Sequence, residues 1–109
     1  MPPTIEDFKE LDLRVGTIVR AEPNTAARDP AYRLLIDFGD VGTMQSSAKI
    51  TDRYTVEDLV GRQVVAVCGF DPVRVGGYRS DVLILGALDA GGVVLLAPDD
   101  EVPTGTEIA

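Results

Sequence analysis

Glycine, proline and aspartate close every apolar run in this chain before it grows long. Pro23, Pro30, Gly39-Asp40-Val41-Gly42, Gly61, Gly76-Gly77 and Ala90-Gly91-Gly92 each end or join a short run. Such spacing excludes long helices and favours several short strands joined by turns, as in a small barrel or a sandwich. The clearest strand covers residues 32–38, where Tyr32, Leu34, Ile36 and Phe38 alternate with Arg33, Leu35 and Asp37. A period of two sends the first set to one buried face.

The other elements follow from the same punctuation. Residues 5–11 form one helical turn, with Phe8 and Leu11 three apart. A first strand spans 14–22, with Val15, Ile18 and Val19 among its apolar members, and Pro23 ends it. A loop over 24–31 leads into the second strand. The turn at 39–42 leads into a third strand at 43–49. Thr55 and Asp58, three residues apart, make a capping box for a short helix ending at Gly61. Residues 64–68 are apolar on both faces and predict a strand buried on both sides. Residues 71–80 read as a polar, glycine-bearing loop, 82–88 as one continuous apolar strand, and 93–97 as the last strand before an acidic tail. Five principal strands with a short helix between the third and fourth match a five-stranded OB-type barrel with N- and C-terminal extensions. A sandwich is the alternative all-β architecture. At 109 residues, the chain is expected to form one domain over 1–109 and to bury about 65% of the surface its unfolded form exposes.

Composition narrows the chemistry. There is no histidine and one cysteine, Cys68, so Ser-His-Asp and Cys-His catalysis, an internal disulfide and a Cys/His zinc site are all excluded. Cys68 sits in an apolar run and reads as a small buried hydrophobe. Asp99-Asp100-Glu101 reads as a solvated charge run rather than an acid–base pair. Gly76-Gly77 lacks the Gly-x-x-x-x-Gly-Lys-[Ser/Thr] phosphate cradle. No catalytic residue, metal ligand or cofactor is expected, and the reading is of a binding protein rather than an enzyme.

Net charge is −8, unevenly spread: residues 13–80 hold nine Arg/Lys against eight Asp/Glu, while six acidic and no basic residues follow Arg79. The global sign opposes polyanion binding, because neutralised phosphates are its main source of affinity. The balanced middle segment still permits a local basic face. The first twelve residues carry four acidic residues and one lysine, Lys9, the reverse of a signal peptide. No apolar run approaches the ~18 residues that would span a bilayer. A cytoplasmic location without membrane insertion is expected.

Candidate binding residues cluster in two places. Arg74 and Arg79 flank Val75-Gly76-Gly77-Tyr78, where paired glycines permit close backbone approach and forked guanidinium groups could hold carbonyls, carboxylates or phosphates. Phe70 and Tyr78 add flat apolar surface, and Ser80 adjoins them. Ser46, Ser47 and Lys49 lie on the third strand, which shares the ligand face of an OB fold. Against these stand blander readings: a simple turn at Gly76-Gly77 with Tyr78 packed on the barrel, and serines facing only solvent. Arg14, Arg20 and Arg33 read as exposed strand positions in weak surface pairs. Phe8, Val102 and Ile108 are apolar groups outside the main strands. Either self-association buries them or they fold back over a barrel end.

Several separated motifs resemble a known family. Residues 8–19 (Phe8-Lys9-Glu10-Leu11-Asp12-Leu13-Arg14-Val15-Gly16-Thr17-Ile18-Val19) resemble the first strand of the tRNA-binding OB domains at the end of methionyl-tRNA synthetases. Residues 54–62 resemble their connecting helix, and 72–83 their binding loop. Within that superfamily, Leu35-Ile36-Asp37-Phe38-Gly39, Gln45-Ser46-Ser47-Ala48-Lys49-Ile50-Thr51, residues 80–86 and the tail from Val102 to Ile108 are most similar to the free-standing CsaA proteins. The resemblance implies an OB fold, a homodimer with Phe8, Val102 and Ile108 at its interface, and no cofactor. It also implies a cytoplasmic chaperone in protein export, and the missing phosphate cradle makes energy-driven release unexpected. Its partners would be unfolded or precursor polypeptides and the export machinery, with tRNA as the alternative ligand. The chain departs from the family at Gly69 and Val73, where asparagine and a basic residue are usual, and Asp71 adds a negative charge. All three changes weaken an anion-binding face.

Overall fold

The long strand β1 (Leu13–Pro23) organises the molecule, because its two halves use opposite edges. Residues 13–17 pair antiparallel with β4 (Gln63–Val67), and residues 17–23 pair antiparallel with β2 (Tyr32–Asp37). Gly16 sits at this crossing. A Cβ there would come within 2.6 Å of Ile36 Cγ2 and of Phe38 Cε1, so only glycine lets β1 pass so close to β2. The structure, a computed structural model, describes every residue except Phe70.

β3 (Thr43–Ala48) pairs with β2, and β7 (Leu83–Ile84) pairs with β4, giving the order β3-β2-β1-β4-β7. Beyond β3 the wall is closed by the segment before β7. The Asp81 N–H donates to the Gln45 carbonyl at 2.8 Å, and the Gln45 N–H donates to Asp81 Oδ2 at 3.3 Å. The result is a five-stranded, nearly closed antiparallel OB barrel. Its interior holds Ile18, Leu34, Ile36, Phe38, Ile50, Leu59, Val64, Ala66, Val82 and Ile84. Each large side chain buried there contributes about 1.5–3 kcal/mol.

The short helix α2 (Val56–Leu59) follows β3 and precedes β4. Its capping box is present as read from Thr55 and Asp58, and Leu59, fully buried, plugs the barrel. The N–H and hydroxyl of Thr55 hold the Asp58 carboxyl below its ordinary 3.8. The leading helix α1 (Ile5–Glu10) has a second capping box, built from Thr4 and Asp7. The tail completes the sheet where β2 ends: Gly105 N–H donates to the Val15 carbonyl, Val15 N–H to Thr106, and Ile108 N–H to Leu13, at 2.8–2.9 Å.

Two stretches differ from the sequence reading. Residues 71–80 contain a hairpin, β5 (Val73–Val75) and β6 (Tyr78–Ser80), rather than an irregular loop. Gly76 and Gly77 have φ of +56° and +77°, and two positive-φ residues in succession make the tight turn whose twist suits a two-residue hairpin. The apolar run 82–88 is broken: β7 ends at Ile84, and β8 (Gly86–Asp89) leaves to pair with β9 (Gly92–Leu95). Gly86 is closely covered by this second hairpin, since a Cβ on it would meet Val93 Cγ1. β4 is buried at Val64, Ala66 and Val67, whereas Val65 is only half-buried. No helix among the described residues is long and apolar enough to cross a membrane.

Candidate binding groove

A break in the β1 ladder builds the groove. Ile18 lies opposite Ile36, but Arg20 lies opposite Leu35, so Val19 is an extra residue in a bulge. Without it Arg20 would oppose Leu34 and turn into the core, because a one-residue slip exchanges the faces of a strand. With it, the register sets two rungs across three strands. One is Arg20–Leu35–Gln45 and the next is Glu22–Arg33–Ser47. Alternation places Leu34, Ile36 and Ala21 on the inner face and these six on the outer one.

The β5–β6 hairpin forms the far wall. Tyr78 Oη donates to the Leu34 carbonyl at 3.2 Å, and the Arg33 guanidinium carbon lies 5.0 Å from the Tyr78 ring centroid. Gln45 Nε2 donates to the Arg79 carbonyl at 2.8 Å. Together Arg20, Glu22, Arg33, Leu35, Gln45 and Tyr78 line a cavity of about 220 Å³. Burial, and then the Glu22 carboxylate, push the Tyr78 phenol above its ordinary 10.0. It is therefore a neutral donor at physiological pH.

The cations around this face are mostly matched from within. Arg20 meets Glu22 at 3.3 Å, Lys49 meets Asp29 at 2.9 Å and Arg79 meets Asp81 at 2.7 Å. Arg74 donates to the Gly77 carbonyl at 3.3 Å and has no carboxylate partner among the described residues. The surface is thus mixed in charge, with an apolar strip from Leu35 and Tyr78.

The residues singled out from sequence fall into three settings. Tyr78 lines the cavity, while Arg74 and Arg79 sit exposed on the hairpin that walls it. Ser46 and Ser80 are buried, at 1% and 5% exposure; their oxygens lie 3.1 Å apart and both are within reach of the Val82 carbonyl, two hydroxyl hydrogens being shared among these three contacts. They join β3 to the closing segment from inside the wall. Ser47 is half-buried and accepts from Asn24, and Lys49 is exposed just beyond Ala48, the last residue of β3, rather than on the strand. Phe70 lies outside the described residues.

Arg33 departs from the bland surface reading. It is half-buried, its Nε donates to Asn24 Oδ1 at 3.1 Å, and it faces the cavity. Arg14 is also half-buried, with Asp12 at 2.9 Å and the Gly105 carbonyl at 3.2 Å. Five groove residues, Arg20, Glu22, Arg33, Leu35 and Gln45, are absent from the binding candidates read from sequence, and three of them carry a signal that could have found them. All but the bulge-shifted pair on β1 alternate with the core positions of β2 and β3.

A second cavity, about 410 Å³, lies between α1 and the tail and is lined by apolar Ile5, Phe8, Leu13 and Ile108 together with charged Lys9, Asp12 and Glu107. Phe8 and Ile108 are thus brought together. Val102 lies elsewhere, its backbone N–H and carbonyl both bonded to the Gln63 side chain.

Comparison with known proteins agrees with this geometry. Residues 13–107 match the family model described as "Putative tRNA binding domain". The structure superposes on the chaperone CsaA of Bacillus anthracis with a TM-score of 0.93, 55% identity and 100% of both chains covered. The CsaA chaperone protein of Picrophilus torridus gives 0.92 at 40% identity, covering 99% of this chain and 100% of that one. The chain belongs to the CsaA branch of the tRNA-binding domain family. It is also 45% identical over 103 residues to a methionine–tRNA ligase of Methanothrix thermoacetophila, of which it spans only 15%. The family match takes in the whole barrel and nearly all of the tail, leaving α1 outside it.

Proposed function

We propose that this CsaA-family protein is an ATP-independent chaperone that holds unfolded or precursor polypeptides in the groove beside Tyr78, as part of protein export in the cytoplasm. The observation that carries this reading is that three of the cations around the groove, Arg20, Lys49 and Arg79, are already paired internally, leaving only Arg33 and Arg74 without a carboxylate among the described residues. A phosphate chain would have to displace Glu22, Asp29 and Asp81 from their partners, losing the counterion release that drives polyanion binding. An extended polypeptide can instead lay apolar side chains on Leu35 and Tyr78 and offer its backbone to Gln45 and Arg33. The end-to-end match with proteins named as chaperones supports the same reading.

A homodimer completes the proposal. The apolar cavity shared by Phe8 and Ile108 is where a second copy would bind. Two grooves on one particle would raise the effective concentration for a second segment of the same client. The role is binding, not catalysis.

RNA binding is the second reading, favoured by the two guanidinium groups of Arg20 and Arg33 in one cavity and by the family description. A paired titration separates the two. Labelled, reduced and carboxymethylated α-lactalbumin and total tRNA are each titrated at low and at physiological salt. Polypeptide binding that persists with salt, beside weak tRNA binding, is the expected result. Tight tRNA binding whose affinity falls steeply with salt, without polypeptide binding, would replace the chaperone reading.

A further inference from the structure

Asn24 opens the loop between β1 and β2, yet it is only 4% exposed and uses its whole side-chain amide. Nδ2 donates to Ser47 Oγ on β3 at 3.2 Å and to the Val75 carbonyl on β5 at 2.9 Å. Oδ1 accepts from Arg33 Nε on β2 at 3.1 Å. Its backbone N–H closes the loop on the Ala31 carbonyl at 2.9 Å. One amide therefore fixes three strands, and two of its partners belong to the groove. Arg33 lines the cavity, and β5 is the partner strand of β6, which carries Tyr78.

The hairpin tip is seated on the same loop. A Cβ on Gly76 would lie 2.5 Å from Ala27 N, so the turn rests directly against the loop backbone. Arg33 Nη2 reaches the Gly76 carbonyl at 3.5 Å, tying the guanidinium to both Asn24 and the tip. A guanidinium has five N–H donors. With Nε taken by Asn24 and one Nη2 hydrogen directed to Gly76, three remain for a ligand.

We infer that Asn24 is a positioning residue for the groove: from behind it, Asn24 sets the angle of the Arg33 guanidinium and holds the Tyr78-bearing hairpin at its working distance. Asn24 does not line the cavity, so its effect on affinity passes through Arg33 and Tyr78. The residue type follows from the geometry. Two donors and one acceptor at this reach are supplied by asparagine. Aspartate keeps the acceptor and loses both donors, and alanine loses all three. The inference rests on the groove being the client site.

The test is a double-mutant cycle of Asn24→Ala and Arg33→Ala, with affinity for labelled, reduced and carboxymethylated α-lactalbumin read well below each variant's unfolding midpoint. Arg33→Ala and Asn24→Ala are each expected to weaken binding about tenfold, the scale of one hydrogen bond to a charged group. In the Arg33→Ala background, Asn24→Ala should lose the part of its effect that passes through the guanidinium and keep only the part that passes through the hairpin. Asn24→Asp serves if the alanine variant does not fold, and should weaken binding through the lost hold on Val75. A purely structural anchor would lower the melting temperature and leave the affinity of the folded protein unchanged, which would overturn the inference. Fully additive losses would overturn it too. An unchanged affinity in Arg33→Ala would instead remove the groove reading itself and the inference with it.

Discussion

Arg33 and Tyr78 are supplied by strands 45 positions apart, yet the guanidinium carbon of the first lies 5.0 Å from the ring centroid of the second. Their contact joins the barrel to the hairpin that walls the groove. Such a cation–π contact is worth about 0.5–1 kcal/mol at an exposed site and more when desolvated. The phenol hydroxyl adds a bond to Leu34 from the same ring.

Ring and hydroxyl can be separated by substitution. Tyr78→Phe keeps the ring under Arg33 and loses the bond to Leu34, so it is expected to cost about 1 kcal/mol of stability. Polypeptide affinity should stay within about twofold of wild type, since no ligand contact is removed. Tyr78→Ala should lose the apolar wall and weaken polypeptide binding by about tenfold or more. Urea unfolding and fluorescence titration of both variants check this. Equal loss of affinity in both would mean that the hydroxyl, not the ring, meets the client.

Ser46 and Ser80 make a second separable pair. Both hydroxyls reach the Val82 carbonyl, at 2.9 and 3.1 Å, so losing Ser46 leaves that carbonyl a donor in Ser80. Ser80 Oγ also accepts from the Ser47 N–H at 3.3 Å. Ser80→Ala is therefore expected to destabilise more than Ser46→Ala, by about 1 kcal/mol, because it orphans a backbone donor. Denaturant midpoints measured side by side decide the order.

How far these features were legible depends on what each residue's signal reports. β2 could be read directly, because Leu34, Ile36 and Phe38 alternate without interruption and all three are fully buried. The same alternation placed Arg33 on the other face, but period alone does not tell whether that face meets water or another element. Here Asn24 and the hairpin cover it. The charge of Arg20 already marked it as an exposed position, but the bulge itself leaves no local mark; only pairing with β2 shows that Val19 is the extra residue that sets Arg20 opposite Leu35. Gly76-Gly77 did carry a hairpin signal, obscured by the shortness of strands of three residues. The burial of Ser46 and Ser80 depends on closure of the barrel between segments 34 residues apart, which no local pattern encodes. Phe8 and Ile108 stood out as apolar groups without a strand, and the tail pairing that brings them together is again a long-range contact.

Cys68 gives a prediction in pH. Burial, and then the Asp12 carboxylate, push its thiol from 9.0 up to about 11, with Arg14 pulling the other way. The folded pKa is raised, so the folded state keeps the proton longer than the unfolded chain. The resulting stability is fully present below 9.0 and is lost as pH rises through about 11. The difference in stability between wild type and Cys68→Ala should be flat below that window and decline across it. An identical decline in both proteins would assign the alkaline loss to other groups. At neutral pH, iodoacetamide should modify folded Cys68 more slowly than the same thiol in the unfolded chain, because less of it is thiolate.

The cavity between α1 and the tail makes the proposed dimer testable residue by residue. Phe8 and Ile108 line it, and Ile108 is held there by the bond from its N–H to the Leu13 carbonyl. In a two-fold interface each substitution acts twice. Removing one such side chain from each copy is expected to cost about 3 kcal/mol or more, over a hundredfold in the dimer dissociation constant. Ile108→Asp and Phe8→Ser should therefore sediment as monomers at concentrations where the wild type is dimeric. Val102 lies outside this cavity, with its backbone clamped to Gln63, so Val102→Ser should remain a dimer. Sedimentation velocity on the four proteins gives a clear reading. Monomers from all three variants would extend the interface past Gln63, whereas a monomeric wild type would leave the cavity without a second copy and remove the two-groove mechanism.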